Sequence, residues 1–145
     1  GHAKEYGEAA TIKLPCSEDG LRACKQLSQI NVRTNITLVF SVSQAILAAL
    51  AGATYISPFI GRMDDNSLAG LSLISDISKV YKKQFINTMI LAASIRDVQS
   101  VGKAFELGAD ICTIPPKVFD DMYKHVLTEK GLVQFNEDAN STTAS

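Results

Sequence analysis

Short runs of apolar and β-branched residues alternate along the chain with stretches in which apolar residues recur every three or four positions. The first run is Ala9-Ala10-Thr11-Ile12-Lys13-Leu14, ended by Pro15. Ser17 then stands where a helix N-cap is expected, with Glu18 and Asp19 in the first turn, where the helix dipole favours negative charge. Leu21, Cys24 and Leu27 predict the buried stripe of that helix. A second strand is predicted over Thr34–Phe40, followed by a helix capped by Ser41 or Ser43, faced by Ile46, Leu47 and Leu50, and stopped at Gly52. A third strand, Thr54–Ser57, closes at Pro58, and a loop from Gly61 to Ala69 leads to a helix with Leu71, Ile74, Ile77 and Tyr81 on one face. Met89–Ala93 forms the fourth strand, and its helix carries Val101, Ala104 and Phe105 and ends at Gly108. The fifth strand, Ile111–Ile114, is stopped by Pro115-Pro116, and two short helical segments around Val118–Tyr123 and Thr128–Phe135 follow.

Strand–helix units in strict alternation predict an α/β fold with a parallel sheet and crossover helices. The strands are continuously apolar, a pattern that fits burial on both faces. An open doubly wound sheet and a segment of an eight-stranded barrel both satisfy this periodicity.

Composition narrows the function classes. The chain has 145 residues, 46% hydrophobic and 20% charged, the size and balance of one compact domain. Its 14 basic and 15 acidic residues nearly cancel, and no basic run tracks a nucleic-acid backbone. No apolar run approaches the roughly 20 residues of a membrane span. Cys16, Cys24 and Cys112 form no C-x-x-C pair, so they predict reduced thiols of a cytoplasmic protein rather than a disulfide framework or a metal site. Gly1-His2 resembles the remnant of a cleaved tag, which assigns 1–7 to a lead-in, 8–138 to the ordered fold and 139–145 to a frayed polar tail.

The chemistry-bearing residues gather at the carboxyl ends of the predicted strands, where loops build active sites in both architectures. Asn35 and Thr37, Ser57 and Phe59, and Ser94 and Arg96 are each spaced two apart, and residues i and i+2 of a strand share a face. Lys13 ends the first strand, and Arg62 lies in the loop after the third. An amine held in apolar surroundings is disfavoured as ammonium and becomes a nucleophile able to form a Schiff base with a ketone. Hydroxyls and an amide suit a polyhydroxylated substrate, and two guanidiniums suit its phosphate. Each residue also has an ordinary alternative. Lys13 can snorkel from an edge strand, the four polar residues can cap strand ends, and the arginines can sit in solvent. Asp64 and Asp65 read as loop residues or caps, His125 has no chemical neighbour, and Tyr55 and Phe40 read as packing.

Ile12-Lys13-Leu14-Pro15 with Glu18-Asp19-Gly20-Leu21 resembles the lysine segment of the small transaldolase and fructose-6-phosphate aldolase family. Thr34 to Ser41, Gln44 to Ala53, Ser57-Pro58-Phe59-Ile60-Gly61-Arg62-Met63-Asp64, Leu91 to Arg96 and Ala109 to Pro115 resemble its following segments in order. The resemblance implies a partial (β/α)8 TIM barrel of about five C-terminal βα units. It implies Lys13 as Schiff-base lysine, and Asn35, Thr37, Ser57 and Ser94 as contacts to the donor hydroxyls or the catalytic water, with Thr37 among the catalytic groups. Arg62 and Arg96 would bind phosphate. Phe59, where the aldolase members carry tyrosine, implies transaldolase chemistry: transfer of a dihydroxyacetone unit between sugar phosphates in the pentose phosphate pathway, with no metal and no organic cofactor. A fructose-6-phosphate aldolase is the alternative within the family. The family's first three βα units carry an aspartate and a glutamate or glutamine that handle protons, and these precede the lysine strand. The expectation is therefore a piece of a longer polypeptide, inactive or weakly active alone, that forms a homo-oligomer or pairs with a complementing N-terminal fragment; a non-enzymatic, self-assembling half-barrel is the other alternative.

Overall fold

The computed structural model describes residues 10–58, 60 and 68–144. Phe59 and Arg62 lie outside the described residues, as do Asp64, Asp65 and the rest of the predicted loop up to residue 67. The described residues fall into two units, one up to Ile114 and one from Pro115.

The first unit is built from β1 (Thr11–Pro15), α1 (Glu18–Gln29), β2 (Arg33–Val39), α2 (Val42–Leu50), β3 (Tyr55–Pro58), α3 (Leu68–Lys83), β4 (Met89–Ala92), α4 (Val98–Leu107) and β5 (Ile111–Cys112). Local chemistry fixes the helix ends. The Ser17 hydroxyl accepts from the Gly20 N–H at 3.0 Å and Ser41 from the Gln44 N–H at 3.1 Å. Gln44 returns its side-chain oxygen to the Phe40 N–H at 2.7 Å, a variant of the reciprocal capping box. Asp97, which the residue pattern did not single out, caps α4 by accepting from the Ser100 N–H at 2.8 Å. Gly108 ends α4 in the left-handed region at φ 119°, as its position predicts.

All strand pairs are parallel, and the sheet order is β1-β2-β3-β4-β5. That order removes the ambiguity left by periodicity. Right-handed crossovers between consecutive neighbours place every helix on the same face, whereas a doubly wound sheet reverses direction at a switch point. The arrangement is therefore a partial (β/α) barrel.

The helix-facing rows form the core: Ile36, Ile56, Ile90 and Ala92 are at most 2% exposed, packed with Ile74 and Ile77 of α3. The other face meets the expectation of burial on both sides only in part. Thr37 and Ser57 are buried, whereas Asn35, Tyr55, Met89, Leu91 and Ile111 are half-buried and Lys13 is exposed. Helix α2 also differs. Its large residues Ile46, Leu47 and Leu50 are exposed, and Ala45 and Ala48 are fully buried, so the alanines form its packed face. On α4, Val101 and Ala104 are buried as expected and Phe105 is half-exposed.

The second unit contains α5 (Pro116–Asp121), with a proline at its first position where the missing N–H costs nothing, and α6 (Val126–Ala144). Helix α6 is longer than the predicted segment and continues into the polar stretch that ends the chain. Phe119 and Tyr123 meet edge to face at 5.6 Å. No helix among the described residues is long and apolar enough to cross a membrane.

Candidate active site

Strand register determines which predicted residues meet. Lys13 pairs with Asn35, Asn35 with Tyr55, and Tyr55 with Met89, so these four form one row across β1 to β4. One step toward the carboxyl ends, Pro15 pairs with Thr37 and Thr37 with Ser57. Residues two apart share a face, so Lys13, Asn35, Thr37 and Ser57 lie on the face opposite the helix layer, with neighbouring strands about 4.8 Å apart. An amine, an amide and two hydroxyls thus occupy adjacent positions.

Hydrogen bonds orient them. The hydroxyl of Ser57, a residue only 2% exposed, donates to the Asn35 side-chain oxygen at 2.6 Å. That commits the oxygen of the amide and leaves its NH2 group as the free donor. The Thr37 hydroxyl has only a long contact, 3.4 Å, to the Leu14 carbonyl, while the Thr37 carbonyl accepts from the Cys16 N–H at 2.9 Å. Thr37 is therefore held by its backbone to the strand that carries Lys13, and its hydroxyl is lightly engaged. Gly20 is required nearby: a β-carbon there would collide with the Pro15 carbonyl, so only glycine lets the first turn of α1 sit against the end of β1.

Ser94 and Arg96 follow β4 and are exposed. Ser94 adopts a left-handed backbone, φ 61°. Its neighbour Ala93 is tied to the β3 side, donating to the Pro58 carbonyl at 3.3 Å and accepting from the Ile60 N–H at 3.1 Å. The amino end of α4 lies beside Arg96, but the Asp97 carboxylate accepts from both the Ser100 N–H and its hydroxyl, so that helix end is already capped by an anion.

The structure thus brings Lys13, Asn35, Thr37 and Ser57 together and places Ser94 and Arg96 after β4, one strand beyond Ser57. Tyr55, read from the sequence as packing, and Met89, which the sequence did not single out, stand in the same row as Lys13 and Asn35. Tyr55 stands two residues before Ser57, and that spacing alone puts it on the site face rather than in the core. Burial pushes the Cys16 thiol, which lies on the helix side near Leu21, Gln44 and Leu47, above its ordinary value, and it does the same to Cys112 on β5. Tyr81 of α3 is raised further, first by burial and then by proximity to Cys16. No group of three or more histidine, cysteine or carboxylate side chains with metal-binding geometry occurs among the described residues. A separate cavity of about 230 Å³, lined by Ser78, Lys82, Asn87 and Asp110 among others, lies at the amino ends of β4 and β5, away from these residues.

Comparison with known proteins bears on this geometry. A family profile described as Transaldolase/Fructose-6-phosphate aldolase matches residues 3–145. A protein of Caulobacter vibrioides named "Probable transaldolase" is 53% identical over 134 residues, covering 92% of this chain and 62% of that protein. One of the same name from Paracoccus denitrificans is 52% identical over 137 residues, covering 94% and 63%. The chain therefore spans less than two thirds of the length of these curated relatives. Among solved structures, GMP reductase from Trypanosoma brucei superposes with a TM-score of 0.56 at 20% identity, over 77% of this chain and 27% of that one, a likeness of fold alone.

Proposed function

The chain belongs to the transaldolase/fructose-6-phosphate aldolase family, and we propose that it carries the Schiff-base portion of a transaldolase, with Lys13 as nucleophile. In this reading the Lys13 amine attacks the ketone of a ketose phosphate and loses water to give an imine. The protonated imine accepts the electron pair when the bond between its α- and β-carbons breaks; the β-hydroxyl gives its proton to water, the rest of the sugar leaves as an aldehyde, and the retained dihydroxyacetone unit passes to the aldehyde of an aldose phosphate. The free NH2 of Asn35 and the hydroxyls of Ser57 and Ser94 would bind the donor's hydroxyls. The lightly held hydroxyl of Thr37 would contact the water that leaves and returns. Arg96, with Arg62, would hold the phosphate. A phenylalanine at position 59 offers no hydroxyl for proton transfer, which favours group transfer over release of free dihydroxyacetone, the outcome in a fructose-6-phosphate aldolase. Neither a metal nor an organic cofactor enters this chemistry.

The observation that carries the reading is the register of Lys13 with Asn35, one step from Thr37 and Ser57 on the same face. Borohydride reduction with fructose 6-phosphate tests it: mass spectrometry is expected to find the reduced adduct on Lys13 and none in Lys13→Ala. A folded sample that gives no adduct at Lys13 overturns it.

A further inference from the structure

Strand β2 contains one residue more than its neighbour. Thr37 pairs with Ser57 and Val39 with Pro58, leaving Leu38 as the extra residue of a bulge. Leu38 has φ 60°, a left-handed backbone that leucine adopts only at a cost and that asparagine or glycine accepts readily. Its side chain is 38% exposed, so burial does not account for the conformation. Its two neighbours do. Thr37 must face the site, and Val39, fully buried, must face the helices so that the chain can reach Ser41, the cap of α2. Without the bulge, a regular strand through Leu38 would lay Leu38 against the helices and turn Val39 to the site face with Thr37.

We propose that Leu38 is a positioning residue: its left-handed bulge fixes Thr37 against the Lys13 strand, so that the Thr37 hydroxyl stands over the reacting amine. The contacts on Thr37 support this. Immediately before the bulge its carbonyl takes the Cys16 N–H at 2.9 Å, a grip on the strand that bears Lys13, while its hydroxyl makes only a long contact to the Leu14 carbonyl. The link to chemistry rests on Lys13 being the nucleophile; the link to geometry does not.

The test separates the two. Leu38→Val places a β-branched side chain where a left-handed backbone is least tolerated, and Leu38→Asn places a residue that tolerates it. Amide hydrogen exchange at Cys16 reads the grip on Thr37, with the Ile90 amide, which donates to Asp110 on the far strands, as internal reference. Leu38→Val is expected to speed Cys16 exchange at least tenfold relative to Ile90 and to slow borohydride trapping at Lys13 about tenfold. Leu38→Asn is expected to restore both. If the valine variant does not fold, Leu38→Ala is read in the same way with a smaller expected effect. Equal Cys16 exchange in the valine (or alanine) and asparagine variants overturns the proposal. An unmodified chain that forms no adduct overturns the Lys13 reading alone, and the amide comparison still decides the bulge.

Discussion

Replacing Ser57 by alanine is the sharpest probe of the site, because it removes one hydrogen bond and almost no volume. The Ser57 hydroxyl donates to Asn35 at 2.6 Å from a residue that is 2% exposed. A hydrogen bond of this kind contributes about 1 kcal/mol net, and a buried acceptor left without a partner costs about 1–3 kcal/mol. Asn35 is half-buried, so water recovers part of the loss. The expected destabilisation of Ser57→Ala is therefore about 1–2 kcal/mol. An unfolding entropy of about 2.1 cal/mol/K per residue over a chain of this length converts each kcal/mol into roughly 3 °C, so Tm should fall by roughly 3–6 °C.

Urea unfolding followed by circular dichroism measures this, with the midpoint lowered and the slope unchanged. The double variant with Asn35→Ala isolates the pair: a coupling of about 1 kcal/mol is expected, because the two residues share one bond. The same loss frees the Asn35 amide to rotate, so its NH2 is no longer aimed by its oxygen. One hydrogen bond to the donor is worth roughly a factor of ten, and trapping efficiency at Lys13 should fall by about that much. Single losses that add to within about 0.3 kcal/mol would refute the argument, since the bond would then orient nothing.

Two further outcomes follow from the described packing. Gly108→Ala should cost about 2 kcal/mol or more in the same urea assay, since φ is 119° and the new β-carbon would collide with the buried Ser78 side chain; a loss under about 0.5 kcal/mol would contradict it. Tyr81 donates to the Ala45 carbonyl at 2.6 Å, so Tyr81→Phe should lose about 1 kcal/mol at neutral pH. Burial raises Tyr81 above its ordinary 10.0, so its stabilising effect is complete below pH 10 and is lost as pH climbs from there toward the folded-state value; Cys16 and Cys112, raised from 9.0, act in the same sense from pH 9. Urea midpoints measured from pH 7 to 11 should decline above pH 9 to 10, less steeply in Tyr81→Phe between pH 10 and 11; equal slopes there would show that Tyr81 does not titrate differently in the two states.

What could be read from the sequence depended on whether a feature is local. Ser17 as a cap and Gly108 as a terminator follow from chemistry within a few residues, and both stand where expected. Asp97 was equally legible, since it immediately precedes the apolar period of α4. The buried face of α2 was not. Ile46, Leu47, Leu50, Ala45 and Ala48 are all apolar, and which of them face the sheet depends on how closely the helix is seated. The choice between barrel and doubly wound sheet was likewise closed to periodicity, because strand order is a long-range property. Spacing of two residues predicted that Asn35 and Thr37 share a face. It could not predict that Lys13 stands opposite Asn35, since register is set between strands.

Strand β2 shows why a site of this kind tolerates an unfavourable backbone at one position. Thr34, Ile36 and Val39 face the helices and are fully buried, and this row supplies cohesion. Asn35 and Thr37, between them, face away from the helices; Asn35 is half-buried and can be polar at little cost, and the buried Thr37 hydroxyl reaches the Leu14 carbonyl. Period-two alternation serves both rows while the strand continues regularly. At its carboxyl end a regular continuation would lay Leu38 against the helices and put Val39 among the polar groups. The bulge instead turns Leu38 outward and seats the fully buried Val39 in the packed layer from which the chain turns toward α2. The left-handed backbone of Leu38 makes this exchange at the junction between the last polar side chain and the last packing side chain.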